Sequence, residues 1–210
     1  MPSPPGRCVR CTSASVSSPR PAVPEVETLR VGVAIGIPER WGSQLDEARA
    51  AAGDPLAPYI PSHVTLLGPT DVLPSALASI EDHLSSVAPR FAPFPVQLRG
   101  TGTFRPVTEV VFVAVAAGIS EFELLAAAVR AGPLARELHF PYHPHVTVAH
   151  DIATEALDKV YEDLADFSAR FEVDHFTLYV HGTDGNWRPV RDFPLGAPPG
   201  PPLGPPPGPR

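Results

Sequence analysis

Two short segments restrict what this chain can fold into more than anything else in it. They are His63-Val64-Thr65-Leu66-Leu67 and, 82 positions later, His145-Val146-Thr147-Val148-Ala149. Each reads His-x-Thr and continues into apolar residues. On a β-strand, successive side chains point to opposite faces. His63 and Thr65 therefore share one face, and Val64 and Leu66 take the other. The second segment repeats this, with His145 and Thr147 against Val146 and Val148. An imidazole and a hydroxyl on one face make half of a reactive site. Two such halves facing each other make a whole one, so the fold is expected to bring positions 63 and 145 together.

The chain has 210 residues, 43% of them hydrophobic. That is enough for one or two small lobes with a core. Its formal net charge of -7 argues against coating nucleic acid by bulk phosphate neutralisation. A small or end-bound anion is still compatible, because a local pocket can be positive on an acidic protein. The two cysteines, Cys8 and Cys11, are spaced Cys-x-x-Cys. The other half of a zinc site is missing and no βαβ pattern surrounds them, so they are assigned no role. Absence of cysteine from the rest of the chain fits a reducing cytoplasm. No apolar run approaches the roughly 20 residues of a membrane helix, and the N-terminal region lacks the apolar stretch of a secretory signal. A cytoplasmic monomer is expected, with no membrane and no protein partner.

Residues 1–27 are Pro-, Ser- and Arg-rich without periodicity and read as a disordered tail, as do the Pro/Gly-rich residues 196–210. The folded domain is expected over 28–195. It opens with a strand over 29–37, whose second face (Gly32, Ala34, Gly36) is small enough to admit a closely packed helix. A helix follows over 39–52, with Trp41, Leu45 and Ala48 inward. Gly68-Pro69 should end the first His-x-Thr strand. A helix over 74–87 shows Leu77, Ile80, Leu84 and Val87 on one face. Strands over 96–104 and 107–116 flank a turn at Arg105-Pro106. Ser120 and Glu123 form a capping-box pattern. Thr154 is expected to cap a helix reaching about Ser168. One long strand over 171–181 and a last one over 187–193 complete the pattern. Each half thus holds a His-x-Thr strand followed by a helix. The fold class expected is α+β, with two similar lobes, each a mostly antiparallel sheet with flanking helices, facing across a central groove.

Doubled in this way, the motif resembles that of the two-histidine (2H) phosphoesterase superfamily. More narrowly, the chain resembles the bacterial 2'-5' RNA ligase, or RNA 2',3'-cyclic phosphodiesterase, family. The residues that carry the likeness are LRVGVAIGIPE, IPSHVTLLGP, the Arg105-Pro106-Val107 turn and PYHPHVTVAH, within residues 29–193. The resemblance implies a metal-independent enzyme without cofactor, acting on an RNA end or a small cyclic nucleotide phosphate.

The chemistry explains the doubling. In-line cleavage of a P–O bond needs a base on the attacking oxygen and an acid on the leaving one, on opposite sides of phosphorus. Histidine suits both tasks, since its ordinary pKa of roughly 6.5 lets both forms exist near neutrality. His63 and His145 are the candidate acid and base, with either able to take either role. Thr65 and Thr147 are candidate donors to the non-bridging oxygens. By resemblance, Arg105 borders the groove as a phosphate ligand, with Phe104 and Tyr142 as stacking residues. His139, His143 and His150 crowd the second motif and suggest a metal site, but Pro144 interrupts the strand and no carboxylate or thiol completes a set. Simple alternation puts His150 on the face opposite His145. The alternative from another class is a non-enzymatic module that binds nucleotide or RNA ends on the same fold.

Overall fold

The computed structural model describes residues 27–196. The expectations for Cys8, Cys11 and the two tails fall almost wholly outside the described residues. The order is β1 (Leu29–Gly36), α1 (Glu39–Ala51), β2 (His63–Val72), α2 (Leu77–Val87), β3 (Phe94–Thr103), β4 (Val110–Ala117), α3 (Ile119–Val129), β5 (His145–His150), α4 (Thr154–Asp163), β6 (Ser168–Val173), β7 (His175–His181) and β8 (Trp187–Pro194).

All these strands join one sheet, in the order β6-β3-β4-β5-β2-β1-β7-β8. Every pairing in it is antiparallel. β6 lies on one edge and β7 next to the other, yet only Asp174 separates them in the chain. A flat sheet does not allow that connection, so the sheet curls until its ends approach. Asp174 marks the corner, and its carbonyl accepts a bond from the Leu195 N–H at 2.7 Å. The expected single strand over 171–181 is therefore two strands on different partners. Alternation shows that both stretches are extended but carries no information about what each pairs with.

The sheet's halves, β2-β1-β7-β8 and β5-β4-β3-β6, share one continuous apolar core. Val33 and Leu66 from one half lie in the same cluster as Val113 and Val148 from the other, all fully buried. At roughly 1.5–3 kcal/mol for each such side chain, this core is the main force holding the halves together. The helices reinforce it by crossing over: α1, which follows β1, leans on β5, and α3, which follows β4, leans on β2. By contrast, the strands at the seam barely pair. β2 and β5 meet through one registered residue pair, Val64 and Val146.

Local signals were met unevenly. Leu45 is buried on α1 with Trp41 and Ala48 packed beside it, but Arg49 is buried there too. β2 continues through Gly68-Pro69 to Val72. Its ladder with β1 skips at that point, so the missing Pro69 N–H costs no hydrogen bond. α3 begins directly after Gly118, whose φ of 93° makes the turn out of β4, and Ser120 makes no capping bond. Thr154 likewise stands inside α4 rather than capping it, and that helix ends at Asp163. Pro74–Ala76 form a 3-10 turn ahead of α2.

Candidate active site

The seam between β2 and β5 carries both His-x-Thr segments. Running antiparallel from the Val64–Val146 pair, the strands set Thr65 opposite His145 and His63 opposite Thr147. Both histidines are anchored alike. His63 Nδ1 lies 2.7 Å from the Pro61 carbonyl oxygen, and His145 Nδ1 lies 2.8 Å from that of His143. A carbonyl only accepts, so in each ring Nδ1 carries the hydrogen. Nε2 is thereby left as the nitrogen that can take or give a proton. This tautomer control comes from the loop two residues upstream of each strand, which is where each Pro-containing entry segment sits.

The likeness extends further along the strands. The β1–β2 register slips between Val33 and Ala34, and the β4–β5 register slips between Val111 and Phe112. Leu66-Leu67 and Val148-Ala149 are consequently buried in succession. A bulge of this kind reverses the alternation that follows it. Gly68 and His150 return to the face of His63 and His145. The expectation that His150 faces away is corrected by this bulge, which a strict period of two cannot foresee. His150 Nε2 stands 3.2 Å from the Asp151 carboxylate.

What stands behind each histidine differs. Behind His63 is a polar frame built on α1. Asp46 accepts bonds from both the N–H and the Oγ–H of Ser62, at 2.8 and 2.7 Å. Arg49 donates to the Ile60 carbonyl at 3.1 Å and is ion-paired with Asp54 at 2.7 Å, with both side chains almost wholly buried. The loop carrying Pro61 is thus held by three side chains. Although the His63 ring keeps an accessible edge, it is crowded on its remaining sides. That burial lowers its pKa below the ordinary histidine value, the Pro61 bond opposing the shift and the Arg49 charge adding to it.

Behind His145 is an aromatic stack. Its ring lies 4.9 Å from Phe104, edge to face, and 5.3 Å from Phe112. His143 packs against the same two phenyl rings, at 5.6 and 5.4 Å. The stack needs Gly102 beneath it, because a Cβ there would collide with the Phe112 ring. Burial again lowers the His145 pKa, opposed by the His143 carbonyl bond and reinforced by the charges of His143 and His63.

Of the remaining expected residues, Phe104 is at the site. Arg105 stands next to it in the β3–β4 turn, but its guanidinium pairs with Asp158 of α4 at 2.7 Å. Tyr142 is turned inward. Its hydroxyl donates to the Thr65 carbonyl at 2.9 Å, and the Arg130 guanidinium covers its ring at 4.6 Å. It braces the Thr65 strand from the opposite half, and Arg130 takes up one face of its ring. Among the described residues, no three His, Cys, Asp or Glu side chains come together as a metal site. The Asp46 and Arg49 frame was not anticipated from sequence. Its one visible signal was an arginine in the inward phase of α1.

A cavity of about 230 Å³ opens beside His63 and Thr65. Its floor is the small-residue face of β1, Gly32, Ala34 and Gly36, which no helix covers. Tyr179 and Trp187 wall it from β7 and β8.

Comparison with known proteins places this geometry. The model of the 2'-5' RNA ligase superfamily matches residues 37–185. A Bacillus mycoides (strain KBAB4) protein provisionally named a phosphoesterase is 28% identical over 145 residues, which cover 68% of this chain and 84% of that protein. The crystal structure of E. coli LigT in apo form superposes with a TM-score of 0.59 at 22% identity, covering 81% of this chain and 99% of that one. LigT complexed with ATP gives 0.57 at 26% identity with the same coverage.

Proposed function

The chain belongs to the 2'-5' RNA ligase superfamily, and from that premise we propose a metal-independent phosphoesterase that opens 2',3'-cyclic phosphates at RNA ends or on small nucleotides. Phosphoesterase activity as such is supported by the family and by the named relative. The observation that carries the finer reading is the matched pair of imidazoles at the β2–β5 seam. Each has Nδ1 tied to a carbonyl, Nε2 released and a threonine two residues on.

In hydrolysis, one neutral imidazole takes a proton from water at Nε2 as the water oxygen bonds to phosphorus. The other, protonated, gives its Nε2 proton to the ribose 3'-oxygen as the P–O3' bond breaks, which leaves a 2'-phosphate. One ring has gained a proton and one has lost it, so exchange with solvent restores the pair. Thr65 and Thr147 donate Oγ–H to the non-bridging oxygens, where charge must be held. With a ribose hydroxyl in place of water, the same steps run in either direction would make or break a 2'-5' linkage. Phe104 borders the phosphate on the His145 side. Arg105 joins the substrate by exchanging Asp158 for phosphate. The acidic chain favours a single end or a mononucleotide over a long duplex. A nucleotide ligand is in keeping with the ATP held by LigT. We assign the work to a monomer in the cytoplasm, with residues 28–195 as the folded unit.

The test is hydrolysis of an oligoribonucleotide ending in 2',3'-cyclic phosphate, in excess EDTA, by wild type, His63→Ala and His145→Ala. Activity should survive the chelator and fall in each variant by about 10²–10⁴-fold. Loss of activity in EDTA, or retention in either variant, overturns the mechanism. Tight binding of the end without turnover would instead identify a binding module.

A further inference from the structure

The groove does not end at the two histidines. β2 runs on past Thr65, and the cavity follows it from His63 through Leu67 to Gly68 and Pro69. Beyond the Val64–Val146 pair, β5 no longer pairs with this edge of β2. Side chains from the segment between α3 and β5 take its place. Arg130 Nη1 donates to the Leu66 carbonyl at 3.2 Å. Arg136 Nη1 donates to the Pro69 carbonyl at 3.2 Å and to Thr70 Oγ1 at 2.7 Å. The other terminal nitrogen of that guanidinium, Nη2, stands 3.2 Å from where a Gly68 Cβ would be. Gly68 faces the groove, as His63 and Thr65 do, so Arg136 lies over the groove face of β2, three residues beyond Thr65.

Neither of these charges is neutralised. Among the described residues, no carboxylate forms an ion pair with Arg130 or Arg136, whereas Arg30, Arg49, Arg105, Arg188 and Arg191 each hold one. Asp71, the acid that follows Thr70 in β2, is taken by Arg30 at 2.8 Å. Arg130 is half-buried, with its guanidinium on the Tyr142 ring. Arg136 is exposed. Its two Nη1 hydrogens are spent on β2, and its Nε and Nη2 make no bond to the described residues. The Nε–Nη2 edge, a planar fork of donors, is thus left open on an anchored guanidinium. On a chain of net charge -7, two uncompensated arginines along one groove mark a place for an anion.

We propose that Arg136, with the charge of Arg130 behind it, binds a second phosphate of the substrate: the one on the 5'-oxygen of the nucleotide whose 2',3'-cyclic phosphate is opened between His63 and His145. This rests on the phosphoesterase reading above for the identity of the first phosphate. A nucleotide that ends a strand in a 2',3'-cyclic phosphate has one other phosphate position, its 5'-oxygen. Thr65 and Gly68 are at most roughly 10 Å apart along β2, a span that one ribose with a phosphate on each side covers. The open Nε–Nη2 edge suits two phosphate oxygens at once. A 5'-monophosphate and a 5'-phosphodiester share this chemistry. Arg105 differs in kind, because its guanidinium must first give up Asp158.

The experiment compares uridine 2',3'-cyclic phosphate with two compounds that add a 5'-phosphate: uridine 5'-phosphate 2',3'-cyclic phosphate, and the dinucleotide in which adenosine is joined to that 5'-phosphate. Wild type, Arg136→Gln, Arg136→Lys and Arg170→Gln are assayed with each. Wild type should prefer both 5'-phosphorylated compounds by about tenfold or more in kcat/KM, chiefly through KM, as one charge-assisted contact warrants. Added salt should shrink that preference. Arg136→Gln should bring it close to one, and Arg136→Lys, a point charge without the fork, should keep part of it. Arg170→Gln, which removes an exposed charge from β6, should keep all of it. If Arg136→Gln abolishes a preference for one of the two compounds only, that compound identifies the source of the phosphate, an RNA strand or a free 5'-phosphate. A second arm does not depend on turnover. By calorimetry, wild type should bind adenosine 3',5'-bisphosphate about tenfold more tightly than adenosine 3'-monophosphate, and Arg136→Gln should bind the two alike. Equal handling of compounds with and without the 5'-phosphate overturns the subsite and leaves the phosphoesterase intact. A preference unchanged in Arg136→Gln, or lost equally in Arg170→Gln, does the same. If no compound turns over, the phosphoesterase reading fails, and the bisphosphate arm still decides the subsite.

Discussion

His63 and His145 are presented to the seam by the same device and supported from behind by opposite ones. Each donates Nδ1–H to a carbonyl two residues upstream, and each strand carries a bulge just beyond its threonine. Yet the His63 half rests on buried polar side chains, Asp46, Arg49 and Asp54, and leaves a cavity open beside the ring. The His145 half rests on stacked aromatic rings. The difference teaches that the geometry needed for proton transfer was kept in both halves while the surroundings were free to diverge.

The two supports should break in different ways. The largest effect is expected where a charge is left buried. Arg49→Met would strand the Asp54 carboxylate and release the Ile60 carbonyl, at a cost of about 3–5 kcal/mol in urea unfolding. Phe104→Leu in the other half keeps an apolar side chain and should cost about 1–2 kcal/mol. Comparable losses in the two variants would mean the Arg49–Asp54 pair is not the support it looks like.

The threonines probe the halves where they should be equal. Thr65→Val and Thr147→Val each remove one hydroxyl at little change in shape. Each should lower kcat/KM by about 10²-fold if both hydroxyls hold the charged oxygens. A large loss in one variant only would show that a single half carries that charge.

The smallest effects concern pH, and here the halves should act together. Both imidazoles have pKa values lowered by burial. Turnover needs one of them protonated and one neutral, so kcat/KM of the free enzyme should be bell-shaped with its maximum on the acid side of about 6.5. The limbs belong to the coupled pair rather than to either ring. For stability the sign is fixed by the same shifts. The folded state binds fewer protons here than the unfolded state as pH falls through about 6.5, so stability is fully present above that value and declines below it. Measuring Tm against pH for wild type and for the His63→Ala, His145→Ala double variant should show a shallower acid decline in the double variant.

The readable parts of this molecule were those that depend on neighbours along the chain. His63 with Thr65, and His145 with Thr147, share faces because a strand alternates. The pairing of Val64 with Val146 brought the halves together as their likeness suggested. Phe104, placed beside the groove by the resemblance, packs edge to face on the His145 ring. His150 was misjudged because a one-residue bulge at Val148 resets the alternation. The inward partners of Tyr142, the Thr65 carbonyl and Arg130, come from remote parts of the chain. Nothing in the local pattern marks either.

Local sequence thus determined that His63 shares a face with Thr65 and His145 with Thr147, and that two His-Thr pairs exist to be matched. Tertiary structure alone decided that β6 and β7 part company at Asp174, that α1 lays Asp46 and Arg49 under the His63 loop, and that Trp187 packs on the small face of β1 at Gly32. The physical reason is that alternation is a property of consecutive residues. Sheet partners, ion pairs and cavities are set by how one shared core packs residues that are far apart in the chain.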